Sequence, residues 1–453
     1  MTASNPALQE SPPIRVPLRD VFAVFVGNGL EFYDFVTYGL FAVYLGRTFF
    51  PSEHPGASLL GSLTVFGAGF VTRPLGGLFF GPLADRIGRK PVMVITFSLM
   101  GLGMAGLCLT PSHARIGIAA PILVLVFRLI QGFALGGEVG PSTAYMVEAA
   151  PPLRRGFYGA MQALTQDASS TIAGVVALVL GLTLTDPQLT RWGWRVAMGL
   201  GIAIIPFGLW LRTRLPETMH VAEECVAQHV EGDSRTLRER LAPHRRVIVC
   251  GLLMLVGLTV GGYSASYMTT YALSSLHLPS AIAFGAMIVY GAVSMAVDAS
   301  GGWLSDRFGR RPAMFVPMLL LLLLILPCYW AIDHYRTMAA LYGGTAILSI
   351  LAGLGGAPIF TLITEQVPTR MRSGTIAILY AFTIAIFGGT TQLAETWLIQ
   401  RTGSPLAPAF YWIGSVVLSL IAIVLVKESA PIRLQQPAAR RRDSVGEASR
   451  PAR

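Results

Sequence analysis

Twelve apolar runs, each near the length of a bilayer crossing, dominate this chain, and polar segments separate them. About 20 consecutive apolar residues suffice for a helix to span a membrane. The runs lie six on each side of a polar segment at 215–244. They cover residues 20–45, 58–82, 91–110, 118–148, 157–184, 192–214, 245–270, 280–303, 312–332, 338–366, 374–400 and 405–427.

This pattern predicts an all-α membrane protein with twelve transmembrane helices in two pseudo-symmetric six-helix halves. The predicted division is a tail at 1–19, a first half at 20–214, a linker at 215–244, a second half at 245–427 and a tail at 428–453. Composition agrees with this interpretation. Only 13% of the residues are charged and the mean hydropathy is +0.59, whereas soluble domains carry roughly 25% charged residues.

The formal net charge of +10 follows the predicted topology. Most Lys and Arg residues fall on one side of the membrane, together with both termini and the linker. The loops of the other side hold at most one each: Arg47, Arg115, Arg191, Arg336 and Arg401. Because basic loops stay in the cytoplasm, both termini are predicted to be cytoplasmic, and nucleic-acid binding is not expected.

One ten-residue loop occurs twice, each time between two apolar runs. Gly81-Pro-Leu-Ala-Asp-Arg-Ile-Gly-Arg-Lys90 returns as Gly302-Trp-Leu-Ser-Asp-Arg-Phe-Gly-Arg-Arg311. Such a repeat between membrane helices indicates duplication of a half-protein. We expect its charges to form ion pairs that hold the cytoplasmic side closed; fixing the topology is the simpler alternative. The predicted cytoplasmic gate residues are Asp85, Arg86, Arg89, Asp306, Arg307, Arg310, Glu148 and Glu365.

Ionisable residues inside the apolar runs are candidates for function, because a charge at membrane depth is costly. Glu31 and Asp34 lie three residues apart on one helix face, so one of them is expected to hold a proton. Arg73 matches a carboxylate by bidentate hydrogen bonding. A structural ion pair is the alternative in each case. The other embedded ionisable residues are Arg128, Glu138, Asp167, Arg195, Asp298 and Glu395.

Three segments carry a family resemblance: Gly27-Asn-x-x-Glu-x-Tyr-Asp-Phe35, Arg73-Pro-Leu-Gly-Gly77 and Arg128-Leu-x-Gln-Gly-x-x-x-Gly-Gly-Glu138. Together with the doubled loop, they make the chain resemble the major facilitator superfamily and, within it, the metabolite:H⁺ symporter family. The resemblance implies the major facilitator fold and a transporter. The sequence also lacks a metal cluster, nucleophile triad or phosphate loop, so no enzyme, cofactor or metal site is predicted.

The resemblance also implies roles for particular residues. In the superfamily, the arginine of Arg-x-x-Gln-Gly takes part in proton coupling by contacting an acid of helix 1. The proton-coupling candidates are therefore Asp34, Glu31, Arg128 and Glu138. The substrate-binding candidates are Arg73, Arg128, Gln131, Tyr263, Tyr267 and Gln162. The two tyrosines belong to a stripe on the helix predicted for the seventh apolar run, and packing alone would also explain that stripe.

Two short stretches, Arg47–Pro51 and Ile386–Gly389, most resemble the citrate and tricarballylate members of the family. The expected function is therefore import of a di- or tricarboxylate by proton symport through alternating access. The expected partners are this acid, protons and the lipid bilayer of a bacterial inner membrane, with the protein as a monomer. A zwitterionic osmolyte such as a betaine is the main alternative. An exporter is less favoured because the run at 157–184 has no proline, and the short tails disfavour a receptor.

Overall fold

The computed structural model describes residues 29, 32–54, 56–87, 89–136, 155–213, 245–367 and 369–430, and their regular secondary structure is helical. The predicted site residues outside the described residues are Glu31, Glu138 and Glu148. The predicted linker at 215–244 also lies outside them, so the division into segments stays a prediction. The structure describes only the helical backbone of Asp85, Arg89 and Gln162.

The first half is built from helices that follow its six apolar runs. They are α1 (32–40), α2 (Ala42–Phe49), α3 (Ala57–Val71), α4 (Arg73–Ile87), α5 (Arg89–Leu109), α6 (His113–Ile116), α7 (Ala119–Leu135), α8 (Arg155–Thr183), α9 (Asp186–Gln188) and α10 (Trp194–Thr213). A π-helical turn at Leu189–Gly193 leads into α10. The break between α3 and α4 falls at Thr72, just before the Arg73-Pro74 step, as expected where proline follows.

The second half repeats this pattern. Its helices are α11 (Arg245–Ser274), α12 (Ser280–Phe308), α13 (Arg310–Tyr335), α14 (Met338–Gly356), α15 (Ile359–Gln366), α16 (Thr369–Thr383), α17 (Gly389–Thr402) and α18 (Ala407–Leu425). A π-helical turn at Ile384–Gly388 joins α16 to α17. Pro358 separates α14 from α15, because a proline in mid-helix removes a backbone hydrogen bond.

Seven helices of the described chain are long and apolar enough to cross a membrane: Ala57–Gly81, Ala163–Thr183, Arg245–Ser274, Ser280–Phe308, Arg310–Tyr335, Met338–Gln366 and Ala407–Leu425. Shorter apolar helices lie at Val94–Leu109 and Ala119–Leu135. Large apolar side chains such as Leu78 and Leu109 are 75% and 79% exposed. An outward surface of this kind suits lipid rather than water.

Each half has its own hydrophobic core. One core is drawn from residues 250–426 only, and the other from residues 33–198 with Phe284, Met287 and Ile384 added from the second half. Two cores are what two packed domains require, since each domain buries its own apolar surface.

Glycines bring the two halves into close contact along two helix pairs. At Gly67 of α3, an added Cβ would lie 2.5 Å from the carbonyl oxygen of Gly389 of α17. At Gly291 of α12, an added Cβ would lie 2.5 Å from Thr171 Oγ1 of α8. Small residues at membrane helix crossings allow this approach of backbones.

The doubled loop occupies matching positions in the two halves. The first copy connects α4 to α5 across residue 88, and the second connects α12 to α13 through Gly309 alone. Gly309 has a φ of 103°, which side-chain-bearing residues rarely adopt. The glycine at this point of the loop is therefore needed for the sharp turn between two membrane helices.

Candidate functional site

A fully buried ion pair joins α1 to α7 inside the first half. Arg128 Nη1 donates to Asp34 Oδ2 at 3.0 Å and to Gln131 Oε1 at 2.7 Å. The Arg128 and Asp34 side chains are 0% and 1% exposed. The contact between this arginine and an acid of the first helix, which the family resemblance implied, is therefore present. The proton-coupling role of the pair stays a prediction.

Glycines allow α7 to carry Arg128 this deep into the half. An added Cβ at Gly132 would lie 1.6 Å from the carbonyl oxygen of Gly69, and one at Gly76 would lie 1.9 Å from that of Phe133. Across the same crossing, Thr72 Oγ1 donates to the carbonyl oxygen of Leu129 at 2.9 Å. The glycines of α3, α4 and α7 thus allow close backbone contacts between these helices, which set the depth of the charged side chains.

The environment of Arg128 is aromatic and provides few hydrogen-bond partners. Its guanidinium carbon lies 4.5 Å from the ring centroid of Phe35, 4.2 Å from that of Tyr38 and 5.4 Å from that of Phe66. Ring faces stabilise a cation that has lost its water. Four buried polar atoms have no hydrogen-bond partner among the described residues: Asp34 Oδ1, Arg128 Nε, Arg128 Nη2 and Gln131 Nε2. The cluster is thus held together by few bonds, and each of them is costly to lose.

Arg73 lies beside this cluster at the start of α4. It is 6% exposed, and its guanidinium carbon lies 4.4 Å from the ring centroid of Phe35 and 4.1 Å from that of Phe70. It also interacts electrostatically with Tyr263 and Tyr380 of the second half. Arg73 is therefore close to the boundary between the halves.

A cavity of about 190 Å³ lies between the two halves, lined by residues of α1, α3 and α8 from the first half and of α11 to α17 from the second. Aliphatic side chains and glycines make up much of its lining, together with aromatic side chains that include Phe35, Tyr263, Tyr290 and Tyr380. Among the described residues that line it, Asp167 and Asp298 supply the only carboxyl groups, and none is Lys or Arg.

Tyr263 is the predicted substrate-binding residue that the structure brings to this cavity. Arg73, Arg128, Gln131 and Tyr267 do not line it in this conformation. Instead, Tyr267 is fully buried in the second half, with its hydroxyl 2.8 Å from Thr396 Oγ1. The tyrosine stripe on α11 thus begins at the cavity and continues as packing.

Asp298 is the cavity residue for which sequence reasoning assigned no role, although it is an acid within an apolar run. It is 4% exposed, and its Oδ2 is buried without a hydrogen-bond partner among the described residues. Its position in the middle of an apolar run was the signal available in the sequence. That it lies near Asp167 follows only from the packing of α8 against α12.

Two further embedded residues are structural in their contacts. Arg195 donates to the carbonyl oxygens of Cys108 at 3.1 Å, Thr110 at 2.8 Å and Arg191 at 2.8 Å, which ties the end of α5 to α10. Glu395 accepts a hydrogen bond from Ser264 Oγ at 2.5 Å inside the second half. Neither side chain lines the cavity.

The second copy of the doubled loop forms an ion-pair cluster. Arg310 donates to Glu365 through Nη2 at 2.8 Å and Nε at 3.2 Å, and to Asp306 through Nη1 at 2.5 Å. A two-bonded arginine–carboxylate pair of this geometry is among the stronger polar contacts in proteins. Three predicted gate residues are therefore joined. Arg86 and Arg307 are exposed in the structure.

Glu428, which sequence reasoning did not single out, completes the cluster. Its carboxylate accepts from the backbone N–H of Arg310 at 2.8 Å and of Arg311 at 3.0 Å, at the N-terminus of α13 where a negative charge is stabilising. Burial raises the pKa of Glu428, but these and other backbone hydrogen bonds outweigh it, and the pKa lies below its usual range. These contacts all lie within the second half, so they strengthen one half rather than link the two.

A cavity enclosed between two helical halves, with charges buried in the lining helices or next to them, is the arrangement of a membrane transporter. The model of the "Sugar (and other) transporter" family matches residues 21–438. The chain belongs to this family and so to the major facilitator superfamily. The predicted fold class and the prediction of a transporter rather than an enzyme are confirmed.

Known proteins similar to the chain differ in their substrates. It is 31% identical over 416 residues to the citrate-proton symporter of Klebsiella pneumoniae, covering 92% of this chain and 93% of that protein. It is 29% identical over 438 residues to the proline/betaine transporter of Salmonella typhimurium, covering 93% of this chain and 86% of that protein. The crystal structure of a D-xylose-proton symporter shares the fold with a TM-score of 0.71 and 18% identity, covering 91% of this chain and 98% of that one.

Proposed function

We propose that this protein imports a small organic acid, most simply a di- or tricarboxylate such as citrate or tricarballylate, by proton symport through alternating access. The observation that carries the proposal is the buried Asp34–Arg128 pair with its four unpartnered polar atoms. The similarity to a citrate-proton symporter over most of both chains supports the same conclusion.

Protonation of Asp34 would remove the negative charge that neutralises Arg128 in this cluster. The neutral carboxyl no longer compensates the Arg128 charge, and among the described residues the guanidinium then has only Gln131 and the surrounding rings to stabilise it. A buried cation without its counter-ion is unstable, so the protonated cluster favours a rearrangement of α1 against α7. A proton on one residue can thereby bias one of two conformations of the half.

Arg73 is the group that we propose to bind the substrate carboxylate. It lies between the rings of Phe35 and Phe70, and Phe35 lines the cavity. Movement of the Phe35 ring would expose the Arg73 guanidinium to the cavity, where the two parallel N–H donors of the planar guanidinium fit a carboxylate. Arg128, Gln131, Tyr263, Tyr267 and Gln162 remain further candidates for contact with the substrate or with the residues around it.

A zwitterion such as a betaine is the second candidate substrate, because the cavity wall carries Asp167 and Asp298 and no described Lys or Arg. Carboxylates together with aromatic rings suit an organic cation, and the similarity to a proline/betaine transporter supports this alternative. Both candidates share a carboxylate, which Arg73 would bind in either case.

The experiment is uptake of labelled citrate, and separately of labelled glycine betaine, into membrane vesicles with and without an inward proton gradient. Saturable, gradient-driven citrate uptake that tricarballylate inhibits supports the first candidate, and gradient-driven uptake of betaine without uptake of citrate supports the second. Arg73→Lys should raise KM strongly, whereas the structural control Arg195→Lys should leave KM unchanged. Uptake that ignores the gradient would refute proton coupling.

We also propose a monomer in a bacterial inner membrane with both termini in the cytoplasm. On this orientation the Arg310–Glu365 cluster lies at the cytoplasmic end of the second half, where it would fix the shape of that half's side of the gate. The first-half gate candidates Asp85, Arg86, Arg89 and Glu148 would form the counterpart. Labelling of single cysteines placed near either terminus tests the orientation, since labelling from outside intact cells would contradict it.

A further inference from the structure

Two aspartates from opposite halves meet in the wall of the central cavity. Asp167 lies on α8 and Asp298 on α12, and the two side chains line the same cavity and interact with each other. They are 8% and 4% exposed. The helices that carry them are packed tightly, because Gly174 and Gly291 leave no room for a side chain between them.

The chemistry of this contact requires a proton. Two carboxylates sharing one site in a low-dielectric interior cannot both remain ionised. Tyr290 interacts electrostatically with Asp167, but no described donor reaches Asp298 Oδ2, which is buried. No Lys or Arg among the described lining residues neutralises the pair.

We propose that Asp167 and Asp298 form a second proton-carrying site, which makes closure of the cavity conditional on one bound proton. When the halves separate, each carboxyl meets water and both can ionise. When they close, like-charge repulsion acts across the boundary between α8 and α12, unless one proton has been taken up from the open side. That proton is released to water when the cavity opens on the other side. The substrate-free cavity holds water in place of substrate, which screens the two charges, so the return step proceeds without a proton and the cycle carries one proton inward. The inference rests on the proposed proton symport.

The other groups that face the pair do not replace this proton. The titratable ones are the hydroxyls of Tyr290 on α12, Tyr263 on α11 and Tyr380 on α16. The side chains that α1, α13, α14 and α15 contribute to the cavity lining carry no titratable group. A phenol is neutral at physiological pH, so the two aspartates are the groups that change charge in the described cavity wall.

Difference infrared spectroscopy of the purified full-length protein in lipid nanodiscs tests the proton directly. Wild-type protein labelled with ¹³C at the aspartate carboxyl should show the C=O stretch of a protonated aspartic acid at neutral pH, shifted by the label. Asp167→Asn and Asp298→Asn should each remove this band, while Asp333→Asn, which alters a surface ion pair, should retain it. Absence of the band in folded wild-type protein, or its persistence in both variants, would overturn the proposal.

Transport measurements test the role in coupling. One pH unit drives about tenfold accumulation per symported proton. Asp298→Asn removes the second site and should therefore lower the accumulation ratio by about tenfold, with citrate counterflow measured alongside as the readout of substrate binding. Full accumulation by that variant would overturn the role in coupling. Loss of both counterflow and accumulation in a correctly folded variant would also overturn it, because losing both indicates that Asp298 binds the substrate. If wild-type vesicles transport no citrate, the proposed function fails, and the infrared experiment still decides whether the pair holds a proton.

Discussion

Breaking the Asp34–Arg128 pair from one side should destabilise the protein more than removing both charges together. The perturbation is the set Asp34→Asn, Arg128→Met and their combination. Asparagine keeps the shape of Asp34, and methionine keeps the length and apolar stem of Arg128. The single variants leave one buried group without its partner, whereas the double variant leaves no charge in the cluster.

The magnitude follows from the geometry. Opposite unit charges 3.0 Å apart attract each other by about 5–6 kcal/mol at an effective dielectric of ~20. Loss of one partner from a buried pair typically costs about 3–5 kcal/mol of folding free energy, while replacement of both by neutral groups is often close to neutral. We therefore expect each single variant to lose about 3–5 kcal/mol, and the double variant to lose less than either.

The assay is unfolding of the purified protein in detergent, followed by tryptophan fluorescence for all four proteins of the cycle. The control is Asp333→Asn, because Asp333 and Arg336 form an exposed pair with side chains 26% and 51% accessible, worth at most about 1 kcal/mol. Effects of the two buried substitutions that add within about 0.5 kcal/mol would refute the description of the cluster as one coupled unit.

Three further predictions concern the cavity, the boundary between the halves and the cluster at α13. Tyr263→Phe should change KM with little effect on stability. Tyr267→Phe should instead lower the free energy of unfolding by about 1 kcal/mol and leave KM unchanged. The reverse pattern would contradict the assignment of Tyr263 to the cavity and of Tyr267 to the core. Gly67→Leu should abolish uptake without preventing expression, because the added side chain meets the backbone of Gly389; wild-type uptake would show that this contact is not needed. Glu428→Ala should lower the unfolding temperature at pH 7, because it removes the acceptor for four backbone N–H groups. Since the folded-state pKa of Glu428 is lowered, the stabilisation is present above the ordinary glutamate pKa and is lost as pH falls through the folded value. The difference between wild type and variant should therefore shrink in acid, and a constant difference would contradict it.

Much of the fold could be predicted from the sequence because lipid imposes a strong constraint. Backbone groups inside the bilayer must bond within their own helix, so an apolar run of about 20 residues has one available structure. Every predicted run contains at least one helix in the described chain. The glycine of the doubled loop also predicted a tight turn, and Gly309 has the required positive φ.

The interior of the site was less predictable. The Asp34–Arg128 contact was expected from the family resemblance, not from spacing, since 94 residues separate the pair. The contact of Asp298 with Asp167 was not predicted, because it depends on which face of α12 meets α8. Helical periodicity does not decide this when both faces are apolar. Glu428 was missed for a similar reason, since its partners are backbone groups of a helix distant in the chain.

By itself the sequence determined that the chain has twelve apolar runs of membrane-spanning length, an internal duplication and ionisable residues within the runs. Hydropathy and sequence repeats can be read directly along the chain. The tertiary structure alone decided which charges meet. It paired Arg128 with Asp34 inside one half, joined Arg310 to Glu365 at the end of the other, and left Asp167 and Asp298 facing a shared cavity. The physical reason is that helix rotation and depth are set by close backbone packing at glycines between distant segments, which no local pattern specifies.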